Sequence, residues 1–152
     1  MVNHDFLALP RIWQPNGIQT LSDRKPNLAV IIPAYRVSGK IASVIAAIPP
    51  EVAHIIVVDD ACPEASGKVV ETLSDKRLHL VRHTENRGVG GAMVSGYRKA
   101  LELGADVMVK VDGDGQMDPA ILGKIAEPVI SGEADYAKGN RIGEFRTLRR
   151  MP

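Results

Sequence analysis

One cysteine, Cys62, occurs in 152 residues. That excludes an intramolecular disulfide framework and a multi-cysteine zinc site, and fits a reducing compartment. Aromatic side chains are scarce as well, at 4% of the chain, so the core has to be aliphatic. Neither sign of charge dominates. Nineteen Lys and Arg stand against eighteen Asp and Glu, a net charge of +1, and no overall field draws the chain to nucleic acid or to an anionic membrane. Long hydrophobic runs are missing too: Leu28 to Tyr35 is the longest and contains Pro33, whereas a membrane helix needs roughly 20 apolar residues. The first residues lack the basic start and apolar run of a secretory signal, so the chain reads as cytoplasmic. What is present is a globular balance, 45% apolar and 24% charged, enough for one aliphatic-cored domain and unlike a disordered chain.

Residues 1–27 carry scattered apolar side chains, three prolines and no sustained period, and are expected to be an extension. From Leu28 onward, short Val- and Ile-rich runs alternate with stretches at helical spacing. The runs are Leu28–Ile32, His54–Val58, Leu78–Arg82, Asp106–Val111 and, less sharply, Ala134–Lys138. Between them, Ser38 is placed to cap a helix with Ile41, Val44, Ile45 and Ile48 inward, ended by Pro49 and Pro50. Ser66 precedes Val69, Val70 and Leu73; Val89, Met93, Tyr97, Ala100 and Leu101 form the expected stripe of a helix stopped at Gly104. Asp118 then Pro119 is a helix start, with Ile121, Leu122, Ile125 and Val129 facing the core. This alternation predicts an α/β domain, a Rossmann-like, mainly parallel sheet flanked by helices, over residues 28–141, with a basic tail at 142–152. In such sheets ligands bind beyond the carboxyl ends of the strands.

The first run ends in Pro33, Ala34 and Tyr35, either a plain loop start or a wall on which a flat group stacks. The second ends in Asp59 and Asp60. Adjacent carboxylates at the mouth of an apolar strand repel each other, so they are a helix cap or solvated turn on one reading, and acceptors for a base N–H or a ribose hydroxyl on the other. The fourth ends in Asp112-Gly113-Asp114-Gly115-Gln116. If strand geometry persists, Asp112, Asp114 and Gln116 point one way, while Gly113 and Gly115 leave room for a ligand or another backbone. Such oxygen donors suit Mg²⁺ or Mn²⁺, which commonly share their shell with substrate phosphates. An EF-hand is excluded, because Met117 and Gly123 stand where Gly and Glu are required.

Asn86-Arg87-Gly88-Val89-Gly90-Gly91 opens a predicted helix and suits a phosphate or ribose close to the backbone, or tight helix packing. It is neither a dinucleotide fingerprint nor a Walker A loop. Lys138 and Arg141, after the last run, are candidate partners for a diphosphate. His54 and His79 read as strand residues without metal-ligand spacing, His4 and His83 draw no role, and Cys62 reads as structural.

Taken in order, Val30 to Tyr35, Val57 to Asp60, Asn86 to Ala92 and Asp112 to Gln116 resemble the motifs of family 2 glycosyltransferases of GT-A fold, especially dolichol-phosphate mannosyltransferases and related polyprenyl-phosphate enzymes. The resemblance covers residues 28–141. It implies a metal-dependent, inverting transfer from a UDP- or GDP-linked sugar, with polyprenyl phosphate as the expected acceptor and, in full-length relatives, a place at the cytoplasmic face of the membrane. Pro33, Ala34 and Tyr35 would line the base pocket and Asp60 would hold the base. Asn86, Gly88 and Gly90 would border the nucleotide. Asp114 and Gln116 would bind the metal, with Asp112 near ribose and metal. Arg36 and Val37 depart from many relatives and leave the base open. The family's catalytic base lies downstream of these motifs; Glu127, Glu133, Asp135 and Glu144 do not match it, so the chain is expected to be a donor half without its acceptor half. A nucleotide-sugar-binding fragment without turnover, a phospho-receiver module and a sugar-nucleotide pyrophosphorylase are the competing readings. A homo-oligomer stays open.

Overall fold

A computed structural model describes the backbone of Phe6–Pro10 and residues 25–139. Its strands are β1 (Phe6–Pro10), β2 (Leu28–Ala34), β3 (His54–Asp59), β4 (Leu78–Arg82), β5 (Val107–Lys110) and β6 (Ala134–Gly139). Its helices are α1 (Ile41–Ala46), α2 (Ser66–Glu71), α3 (Gly88–Glu102) and α4 (Leu122–Ile130). The chain divides into two compact units: Pro26–Leu122, and Met1–Lys25 with Gly123–Pro152.

Within Pro26–Leu122, four strands form a parallel sheet in the order β4-β3-β2-β5. This is the α/β class expected. Both faces of β2 and β3 are covered, which is why their sequences are unbroken apolar runs: Val30, Ile31, Ile32, Ile55, Ile56, Val57 and Val58 are fully buried. The chain steps outward from β2 through β3 to β4, then returns by α3 to place β5 on the other side of β2. The strand order therefore reverses at β2 and β5, and a crevice opens beyond their carboxyl ends.

Helix α1 buries Ile41, Val44 and Ile45 as expected, but Ser38 does not cap it. Lys40 holds the N-cap position, and the Ser38 hydroxyl donates to Glu64 Oε2 at 3.3 Å instead. Asp118 does cap: it accepts from the Ala120 N–H at 2.9 Å ahead of Pro119. Helix α3 ends as expected at Gly104, with φ +73°, where the N–H groups of Gly104 and Ala105 return to the carbonyls of Leu101 and Ala100.

The inward stripe of α3 differs from the expected one. Ala92, Met93, Gly96 and Ala100 are buried, whereas Val89, Tyr97 and Leu101 are exposed. Small residues win the inner face because α3 lies directly on the sheet: a Cβ at Gly96 would run into the Ile31 side chain. Bulky residues on that face would lift the helix away from the sheet.

In the other unit, β1 pairs antiparallel with β6, Phe6 opposite Gly139 and Leu9 opposite Tyr136. The N-terminal extension thus holds a strand that was not expected. The run at Ala134 is a strand, as expected, but it pairs in this two-stranded sheet, separate from the parallel one. No helix among the described residues is long and apolar enough to cross a membrane.

Candidate functional site

The carboxyl ends of β2, β3 and β5 and the start of α3 enclose a cleft of about 440 Å³. Pro33, Ala34, Tyr35 and Val37 line it from the end of β2, Asp60 from the end of β3, and Asn86, Gly88, Val89 and Ala92 from the entry of α3. Asp112, Gly113 and Asp114 complete it beyond β5. Eight residues singled out from the sequence, Pro33, Ala34, Tyr35, Asp60, Asn86, Gly88, Asp112 and Asp114, therefore meet at one place.

The two adjacent aspartates divide their labour. Asp59 accepts from the Cys62 N–H at 2.9 Å and from the Gly67 N–H at 3.2 Å, tying the turn to the start of α2. A Cβ at Gly67 would collide with that carboxylate, so only glycine lets it come so close. Asp60 points to the cleft. Its Oδ1 accepts from the Arg87 N–H at 2.8 Å and lies 2.6 Å from His83 Nδ1. The other imidazole nitrogen, Nε2, is 2.8 Å from Ser95 Oγ on α3. Burial pushes the Asp60 carboxyl up, but the Arg87 N–H, the His83 hydrogen bond and charge, and the Gly88 N–H outweigh it and hold it below the ordinary value.

His83 drew no role from the sequence, and the structure corrects this. Strand register sets Arg82 beside Asp59, so the next residue, His83, falls beside Asp60. The sequence clue is only a His one residue past a strand end; its meaning depends on that register.

At the other end of the cleft the strand stops at Lys110, and residues 113–115 form a turn with Gly115 at φ +75°. Extended geometry does not persist through Asp114, so side-chain alternation cannot align the three donors. A turn brings two of them, Asp112 and Asp114, to the cleft around the buried Gly113, where a Cβ would stand 3.1 Å from Val37 and 3.3 Å from Ile41. Asp112 pairs with Lys110 Nζ at 2.6 Å, in a half-exposed salt bridge. Asp114 Oδ1 accepts from the Gln116 N–H at 3.0 Å. The Gln116 side chain is exposed, and neither Gln116 nor Gly90 lines the cleft. Two carboxylates facing one cleft are hard oxygen donors of the kind Mg²⁺ and Mn²⁺ take. Among the described residues no third His, Cys, Asp or Glu joins them, so the rest of an octahedral shell would have to come from water and ligand.

Tyr35 is exposed at the rim, and the Arg36 guanidinium sits 5.4 Å from its ring centroid. Helix α3 begins at Gly88, with φ +70°; Arg87 at the N-cap position makes no side-chain cap, the Gly88 N–H donates to Asn86 Oδ1 at 2.9 Å, and the positive dipole end of the helix lies at the cleft that Gly88 and Val89 line. Cys62 accepts from the Arg36 N–H at 3.0 Å and touches Ser66 Oγ at 3.1 Å, a joint between two loops. His54 and His79 are neighbours on β3 and β4, 3.2 Å apart between ring nitrogens. Lys138 is exposed on β6, in the other unit, and Arg141 lies outside the described residues.

Comparison with known proteins decides the lineage. The description "Glycosyl transferase family 2" matches residues 29–152. The chain belongs to that family. It is 32% identical over 138 residues to a UDP-N-acetylglucosamine–dolichyl-phosphate N-acetylglucosaminyltransferase of Methanococcus voltae, covering 81% of this chain and 55% of the relative. It is 33% identical over 129 residues to the polyprenol monophosphomannose synthase of Mycolicibacterium smegmatis, covering 81% and 48%. The chain thus spans about half the length of these curated relatives. Among solved structures, glucosyl-3-phosphoglycerate synthase from Mycobacterium tuberculosis, in complex with Mn²⁺, UDP and glucosyl-3-phosphoglycerate, superposes with TM-score 0.57 at 21% identity. That match covers 80% of this chain and 47% of the synthase. The glycosyltransferase fold expected from the motifs is the fold of this family-2 chain.

Proposed function

We propose that this chain is the donor-binding part of a family 2 glycosyltransferase and that its cleft binds a nucleoside diphosphate sugar. The observation that carries the reading is the convergence of Pro33 to Tyr35, Asp60, Asn86, Gly88 and Asp112 to Asp114 on one cleft at the point where strand order reverses. Asp60 supplies a fixed carboxylate for base or ribose donors, and the Tyr35 ring is at hand to cover a flat base. The positive dipole end of α3 at the cleft favours a phosphate. Asp112 and Asp114 are the residues that would hold Mg²⁺ or Mn²⁺, whose charge offsets what develops on a departing diphosphate. Lys110 neutralises Asp112 in the free protein and keeps this end of the cleft from carrying two bare carboxylates.

Transfer needs an acceptor and, for inversion, a base that removes its proton as the sugar–phosphate bond breaks. The named relatives act on dolichyl or polyprenyl phosphates, and we assign this chain the same acceptor class. A phosphate acceptor is already anionic near neutral pH and makes little demand on a base. Calorimetric titration with UDP- and GDP-linked sugars in the presence of Mn²⁺ tests the donor site. Saturable binding that chelation of the metal weakens is expected; no heat with any nucleotide sugar would sink the reading.

A further inference from the structure

Asp60 has two carboxylate oxygens, and the protein uses one of them. His83 Nδ1 and the Arg87 N–H both converge on Oδ1, at 2.6 and 2.8 Å. Among the described residues no hydrogen bond reaches Oδ2, although it is not sealed from solvent and Asp60 lines the cleft. The Gly88 N–H, a minor influence on the carboxylate, donates to Asn86 Oδ1.

The ring between Asp60 and Ser95 fixes this division. A carboxylate only accepts, so the nitrogen facing it, Nδ1, has to carry the hydrogen. Nε2 then accepts from the Ser95 hydroxyl when the ring is neutral, or donates to it when the ring is charged; Ser95 serves both states. The His83 and Asp60 side chains are 5% and 4% exposed. The ring therefore has no room to turn away, and His83 further returns its own N–H to the Asp59 carbonyl at 2.9 Å.

We infer that His83 is a positioning residue that commits Oδ1 of Asp60 to the protein and leaves Oδ2 as the single Asp60 oxygen open to a base, so that the site takes uracil in preference to guanine. This rests on reading the cleft as a nucleoside diphosphate site. Uracil presents a single imino N–H between two carbonyls, which one oxygen satisfies. Guanine presents adjacent imino and amino donors, a fork that pairs best with both oxygens of a carboxylate. With Oδ1 taken, one guanine donor enters the cleft without its partner, and sites built on hydrogen bonds discriminate strongly against unpaired groups.

The test is calorimetric titration of the full chain with UDP and with GDP, each with Mn²⁺, in the wild type, His83→Asn, His83→Ala and Ser95→Ala. The wild type is expected to bind UDP about tenfold more tightly than GDP. His83→Asn, whose amide N–H can take the place of Nδ1–H, should keep that preference. His83→Ala should reduce it to about threefold or less. Mn²⁺ affinity, read separately by electron paramagnetic resonance, should not change in any of them, which separates positioning from general loosening. Equal affinities in the wild type, or tighter GDP, overturn the inference; so does a His83→Ala protein that keeps the full preference. Should His83→Ala fail to fold by circular dichroism, Ser95→Ala takes its place, and an undiminished preference there counts against the relay in the same way. Absence of binding by either nucleotide would instead overturn the donor-site reading itself, a result distinct from binding without discrimination.

Discussion

Asp60 and Asp112 both stand just past the ends of parallel strands and both line the cleft, yet their surroundings are opposite. Asp60 is 2% exposed and is held by an imidazole, a backbone N–H and, through the ring, a serine of α3. Asp112 has one partner, the flexible ammonium of Lys110, with both side chains about two-fifths exposed. One end of the cleft is finished by the protein, and its geometry is fixed before any ligand arrives. The other is a half-exposed charge pair between the end of β5 and the glycine turn, where a cation could take the place of the ammonium without repacking the core. A fixed end suits discrimination between similar groups, and a replaceable one suits a ligand that brings its own counter-ion.

This contrast can be broken from its support inward. Gly96 is the point where α3, which carries Ser95, touches Ile31, and a Gly96→Val change should cost about 3 kcal/mol in urea unfolding because the helix must lift off the sheet. Next comes the direct comparison. Asp60→Ala leaves His83 and the Arg87 N–H without their acceptor and should lower stability by about 2 kcal/mol, while Asp112→Ala, which only opens an exposed pair, should change it by less than about 1 kcal/mol. Equal costs would contradict the contrast.

Acid sharpens it further. The folded state holds the Asp60 carboxyl below its ordinary value of 3.8. As pH falls the unfolded chain takes up that proton first, so the stabilisation is complete above the ordinary value and is lost as pH drops through the lower, folded one. Asp75 and Glu71, held low chiefly by hydrogen bonds from Arg77 and Arg82, share in the loss. Urea titrations at about pH 6 and pH 3 should therefore show Asp60→Asn losing less stability than the wild type between those points, but still losing some. The smallest effect belongs to the helix starts. Ser38→Ala should fall within about 0.5 kcal/mol of the wild type, whereas Asp118→Ala should lose about 1 kcal/mol, because only Asp118 caps.

The finished end and the replaceable end were not equally legible in the sequence. Asp112, Gly113 and Asp114 are neighbours in the chain, so their joint appearance in the cleft follows from one short stretch after an apolar run. The same holds for Pro33, Ala34 and Tyr35. The relay behind Asp60 draws on β3, the residue after β4, and α3, and it forms only once strand register and helix rotation are set. The apolar runs mark the strands but not their register, and the rotation of α3 is only half legible: Met93 and Ala100 of the expected stripe are buried, but Val89, Tyr97 and Leu101 are exposed and Ala92 and Gly96 take the inner face with them. With that rotation misjudged, Ser95 and His83 could not be brought together. Pairing of β1 with β6 escaped for a similar reason, since it joins segments from opposite ends of the chain that carry little alternation of their own.

Amide chemical shifts of isotope-labelled protein, recorded as UDP and Mg²⁺ are added together, address the central claim that both ends of the cleft form one nucleotide site. Shifts at Ala34 and Tyr35, at Arg87 to Val89, and at Gly113 and Asp114, saturating on a single curve, are the predicted result. Saturable shifts confined to residues away from these strand ends, or no shifts at all, would contradict it.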